Sequence, residues 1–175
     1  DQPPESALVE IRAMFGAVPL VFERMRQAGD LADNWPGIRA IYRDPDPLPR
    51  EVVEVLLAAL ALRCGGDYCV ALHSLGLAGE SGQLGVSELI HDLTVPEDVP
   101  ERGRWDRIVR QAWLAAAPGP HRRAASHALE LACTPEEHAQ LLHVCAVGAF
   151  LASYLGGTPD CQSPRPAFTA HPRQH

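Results

Sequence analysis

The chain contains no lysine; all 15 of its basic residues are arginine. That excludes a Schiff-base lysine, a P-loop lysine and a Ser–Lys dyad from this sequence. Long apolar runs are also missing. The longest, Val55 to Leu62, has eight residues, far short of the ~20 needed to span a bilayer, so no membrane partner is expected. Strand-like alternation never exceeds four residues. An excess of positive charge is absent as well: the net charge is −7 and the pI is near 5.6. With no basic patch, nucleic acid is not an expected partner. No apolar stretch follows Pro3, Pro4 and Glu5 as a secretory leader would require, and a cytoplasmic location is expected. Cysteines stand at 64, 69, 133, 145 and 161, with no CxxC or HExxH spacing. This odd set argues against a secreted disulfide framework. His138 and His143 near Cys145 lack ligand spacing, so neither a metal nor another cofactor is expected.

What is present is helical punctuation. Ser6 can cap a helix that runs to Phe15 and stops at Gly16. Val18–Ala28 is a second helix, with Pro19 in its first turn, and Asp30–Tyr42 a third, interrupted at Trp35-Pro36-Gly37. The proline-rich stretch 44–49 reads as a stiff linker into Arg50–Arg63. That helix is apolar on nearly every side, which places it at the centre of a core. Gly65-Gly66 ends it, and Asp67 is the expected N-cap of a helix from Tyr68 to about Ala78. After a glycine-containing stretch, 79–85, short helix 86–93 and proline-bounded loop 95–103 follow. The remaining helices are expected at 104–117, 121–133 and 135–155, the last with a Thr134/Glu137 capping box. Trp35, Trp105 and Trp113 read as packing anchors, and His121 and His127 as solvated. The fold expected is all-α: a lead-in over 1–12, a compact multi-helix domain over 13–155 and a flexible tail over 156–175.

The chemistry concentrates between 54 and 73. Cys69 and His73 are four residues apart, so on one helix they share a face. Cys69 would lie in the first turn, where unpaired N–H groups favour a thiolate. His73 can take or give a proton there. Asp67 opposes the thiolate by its charge. Glu54, a lone carboxylate inside the apolar helix, needs a buried partner, and His73 is the candidate. A buried cysteine with a satisfied core histidine is the plainer alternative.

Four stretches together resemble the carboxymuconolactone decarboxylase/alkylhydroperoxidase D-like superfamily. They are Phe15-Gly-Ala-Val-Pro19-Leu-Val-Phe22, Leu48-Pro-Arg-Glu-Val-Val-Glu54, Tyr68-Cys69-Val-Ala-Leu-His73-Ser74 and Thr134-Pro-Glu-Glu137. The likeness spans roughly residues 13 to 155. It implies an AhpD-like helical fold and a thiol-dependent peroxidase with Glu54, Cys69 and His73 as the catalytic residues. Cys69 corresponds to the peroxide-reactive thiol. The substrate would be a hydroperoxide or another small molecule, and the reductant a lipoyl- or thioredoxin-type thiol. The family builds trimers or hexamers, so a homo-oligomer is expected.

The sequence departs from the family pattern at position 66, where glycine replaces the resolving cysteine. Cys64 is the candidate substitute, although a continuous helix would hold it ~8–9 Å from Cys69 at Cα. A tight Gly65-Gly66 turn could shorten that separation. Two other functions stay open: a lactone decarboxylase-like enzyme using His73 as acid/base, and a non-catalytic helical scaffold, favoured by Gly66.

Overall fold

The structure is a computed structural model that describes residues 4–43, 47–78 and 85–154. Among these residues every regular element is a helix, so the all-α expectation holds. They are α1 (Pro4–Phe15), α2 (Leu20–Ala28), α3 (Leu31–Arg43), α4 (Arg50–Arg63), α5 (Asp67–Ala78), α6 (Val86–Asp92), α7 (Arg102–Ala115), α8 (Arg122–Ala132) and α9 (Pro135–Tyr154). Residues 44–46 of the proline linker, most of the 79–85 stretch and the tail with Cys161 lie outside the described residues. No helix among the described residues is long and apolar enough to cross a membrane.

Helix α4 is the axis of the molecule. Every residue from Val52 to Ala61 is buried, Glu54 included, as an all-round apolar helix requires. It packs against α5, α9, α7 and α6. The approach to α9 is close because Gly148 has no side chain: a Cβ there would lie 3.0 Å from Leu57 Cδ2 and 3.1 Å from Leu60 Cδ1. Helices α1 and α2 pack against α3, which also meets α9, and together α1, α2 and α3 form an aromatic layer. Phe22 meets Trp35 edge-on at 5.4 Å, and Phe15 meets Tyr42 edge-on at 5.0 Å.

Several local expectations are corrected. Helix α3 runs through Pro36 without a break. A proline removes one amide donor and crowds the preceding turn, but here the helix is held by burial of Leu31, Trp35, Ile38 and Ile41. His143 also donates from Nε2 to the Gly37 carbonyl at 2.8 Å. Helix α1 begins at Pro4, so Ser6 lies within it rather than capping it. Asp67 is the first residue of α5, not a cap outside it. Helix α7 begins at Arg102, inside the stretch expected to be loop.

The capping box of α9 forms as expected. Thr134 N–H donates to Glu137 Oε2 at 2.9 Å, and Glu137 N–H donates to Thr134 Oγ1 at 3.2 Å. Arg104 adds a two-pronged pair to Glu137, also bonds the Ala132 carbonyl, and lies over the Trp105 ring. This guanidinium holds the Glu137 carboxyl below the usual glutamate range.

Two outcomes follow. Gly148→Val should overpack the α4–α9 seam and lower stability by ~1–3 kcal/mol in urea unfolding. A carboxyl whose value is depressed by folding stabilises the native state above its ordinary value, near 4.5 for glutamate, and that contribution drains as pH falls through the depressed value. The stability difference between wild type and Glu137→Gln, ~1–2 kcal/mol at pH 7, should therefore be full above about pH 5 and shrink on acidification.

Candidate functional site

Helices α4 and α5 are joined by a turn that needs glycine. Gly65 adopts φ +70, a left-handed conformation that glycine takes without strain. The Gly66 N–H bonds back to the Ala61 carbonyl at 2.9 Å. The chain thereby reverses, and α5 is laid against α4. This brings the middle of α4 opposite the first two turns of α5, and Glu54 meets His73. Glu54 Oε2 lies 2.8 Å from His73 Nδ1, and both side chains are only 5% exposed. A carboxylate can only accept, so Nδ1 carries the hydrogen and donates it. In the neutral ring, Nε2 is therefore the nitrogen left as acceptor.

The lone carboxylate of the apolar helix thus has the partner expected of it, and a second one besides. Arg50 Nη2 lies 3.5 Å from Glu54 Oε1, one turn back along α4. The Arg50 side chain is half in solvent, so this contact links a buried carboxylate to the surface.

Cys69 is a free thiol in the first turn of α5, buried to 3% exposure. It shares the buried side of α5 with His73. Among the described residues no hydrogen bond joins the two, so proton transfer between them requires a side-chain rotation or a bridging water. Burial pushes the Cys69 thiol above the ordinary cysteine range. Spacing alone had placed it at a helix end that favours the thiolate; desolvation of the charged form works against that. Asp67 is exposed, and burial alone accounts for the shift.

Cys64 does not partner Cys69. It is buried at the C-terminal end of α4 and its sulfur is engaged in a disulfide, whereas Cys69, Cys133 and Cys145 are all free. The glycine turn brings the two helices together, but Cys64 is already committed elsewhere.

Two residues at the site gave no functional signal in the sequence. Arg50 read only as the start of a helix. Tyr42, at the end of α3, read only as the end of a helix. Tyr42 is buried, and its hydroxyl is pushed well above the ordinary tyrosine range, first by burial and then by the charges of Glu54 and Cys69, with Arg50 opposing. It therefore stays protonated and can serve only as a neutral hydrogen-bond donor or acceptor. From the other side, Tyr68 anchors the segment ahead of α2: its hydroxyl accepts the Leu20 N–H at 2.9 Å.

Among the described residues, the remaining histidines and free cysteines stand apart from the Glu54–His73 pair. His121 and His127 are exposed. His143 serves the α3 backbone, and no cluster of three metal-ligating groups occurs among the described residues. Cys145 is buried, its thiol pushed up to about 12, and it lines an apolar cavity of about 140 Å³ between α7, α8 and α9. That cavity includes none of Glu54, Cys69 or His73.

Comparison with family models, with curated proteins and with solved structures finds no match.

The thiols should differ in reactivity in the native state. Cys133 is part-exposed, Cys69 buried, and Cys145 buried with a value near 12. Iodoacetamide followed by peptide mass mapping should label Cys133 first and Cys69 more slowly. Cys145 should stay unlabelled at pH 9, because the thiolate is the reacting species.

Proposed function

We propose that this protein is a thiol-dependent hydroperoxide reductase of the alkylhydroperoxidase D-like type, with Cys69 as the reacting thiol. The observation that supports it is the buried Glu54–His73 pair on α4 and α5, with Cys69 one turn away on the same helix. Glu54 fixes the Nδ1–H form of His73 and so presents Nε2 as base. His73 takes the Cys69 proton, and the thiolate attacks the distal oxygen of the hydroperoxide. The S–O bond forms as the O–O bond breaks, giving Cys69 sulfenic acid and an alcohol, with the proton on His73 passing to the leaving alkoxide. An external thiol then condenses with the sulfenic acid, releasing water, and a second thiol reduces the mixed disulfide. The external route is preferred because Cys64 is occupied and position 66 is glycine. A lipoyl- or thioredoxin-type dithiol fits this role, and a cytoplasmic compartment would supply it. The assembly proposed is a homo-oligomer, trimer or hexamer; sedimentation showing only a 19 kDa species would count against it.

A second reading has one observation in its favour. The raised Cys69 thiol and the missing Cys69–His73 bond leave His73 as the better-prepared group, which suits a non-redox, lactone decarboxylase-like enzyme. Loss of every function at Gly66, leaving a scaffold, is the third reading.

Peroxide consumption with a dithiol reductant separates them. Cys69→Ser should abolish it, and His73→Ala should slow it ~10²–10⁴-fold. Consumption that persists in Cys69→Ser, or an unmodified Cys69 after excess peroxide, would defeat the peroxidase reading. Position 66 offers a constructive test as well. A Cβ there would lie 3.4 Å from the Ala61 carbonyl oxygen and 3.9 Å from Ala152 Cβ, which are ordinary contacts. Gly66→Cys should therefore fold, and on one equivalent of peroxide it should form a 66–69 disulfide visible by mass.

A further inference from the structure

Glycine is among the poorest residues for the interior of a helix, because it gives up the most backbone freedom on ordering. Gly76 nevertheless stands inside α5, one turn after His73. Its surroundings supply a reason. A Cβ at position 76 would fall 2.9 Å from both Cδ and Oε1 of Glu54, and 3.3 Å from Oε2. Contacts under 3.0 Å force something to move. The Glu54 carboxylate has little room to do so: its side chain is 5% exposed, and its oxygens are held by His73 at 2.8 Å and Arg50 at 3.5 Å. Its own helix is buried throughout this stretch. The group sits directly against the bare backbone of α5, in the space that any side chain at 76 would claim.

We propose that Gly76 is a positioning residue, whose missing side chain is the seat of the Glu54 carboxylate and thereby sets the tautomer of His73. The pairing of Glu54 with Nδ1 is what keeps the hydrogen on that nitrogen and leaves Nε2 as acceptor. With an alanine at 76, the carboxylate must leave its seat, the hold on Nδ1–H weakens, and His73 reverts toward the Nε2–H form, which cannot accept a proton at the nitrogen facing away from Glu54. Only the effect on turnover rests on the peroxidase reading; the seat itself does not.

Four proteins test it: wild type, Gly76→Ala, Glu54→Ala and the double variant. The thermal midpoint should fall on Gly76→Ala when Glu54 is present. It should rise on the same change when residue 54 is alanine, because the seat is then empty and alanine is the better helix former. A change of the same sign in both backgrounds would overturn the proposal. So would a failure of both Gly76→Ala and the double variant to fold while Glu54→Ala folds. If only Gly76→Ala fails to fold and the double variant is rescued, the proposal stands. The second readout is the tautomer of His73, from the two ring ¹⁵N shifts at a pH where the ring is neutral. Wild type should show Nδ1–H, and Gly76→Ala a loss of that preference; an unchanged tautomer would overturn the proposal. Neither readout needs peroxide, so an inert Cys69 would defeat the peroxidase reading and leave this test intact. If Cys69 does turn over peroxide, Gly76→Ala should slow it at least 10-fold, as weakening the base requires.

Discussion

A carboxylate in the middle of a helix buried on every side has to be satisfied from outside that helix. Much of the arrangement around Glu54 reads as a consequence. Leaving the group unpaired in apolar surroundings would cost several kcal/mol, of the order of a domain's whole margin of stability. The partner comes from α5, which can reach it only because the chain reverses tightly at Gly65 and because α5 is bare at Gly76. The imidazole of His73 is then fixed in one orientation by the group it satisfies. Structure and chemistry use the same contact: the bond that makes burial of Glu54 tolerable also decides which nitrogen of His73 is available to a substrate.

The site is built from elements distant in sequence but layered in space. Tyr42 from α3 stands between the aromatic layer and the Glu54–Cys69 region, packed edge-on against Phe15 at 5.0 Å. Tyr68 ties the start of α2 to α5 through the Leu20 amide. Cys69 is enclosed, and its raised thiol reflects the same desolvation that strengthens the Glu54–His73 bond. Burial favours the hydrogen bond and penalises the thiolate, so under the proposed peroxidase reading the reaction at Cys69 would depend on His73 taking the proton.

The legible part of this molecule was its periodicity and its one misfit. The all-round apolar character of α4 located the core axis, and a single glutamate within it called for a buried partner that spacing identified as His73. The Thr134/Glu137 box could be read for the same reason, since its chemistry is local. What could not be read depends on tertiary neighbours. Pro36 looked like a break because the burial of Trp35 and Ile38 that carries α3 through it is invisible in a linear pattern. Tyr42 and Arg50 were silent because their importance is a matter of what lies beside them. The thiolate expected of Cys69 rested on helix-end position, which sequence shows, against burial, which it does not. Nearness along the chain likewise could not show that Cys64 is disulfide-bonded while Cys69 is free.

Arg104 draws together three helix ends. One guanidinium reaches the last carbonyl of α8, the capping carboxylate of α9 and the indole at the start of α7. Helix ends are ordinarily the first places to fray, each on its own. Joined through one planar cation, these three cannot open separately without stranding a charge that the other two still hold. To hydrogen exchange, the corner should therefore behave as one cooperative unit rather than as three loose ends.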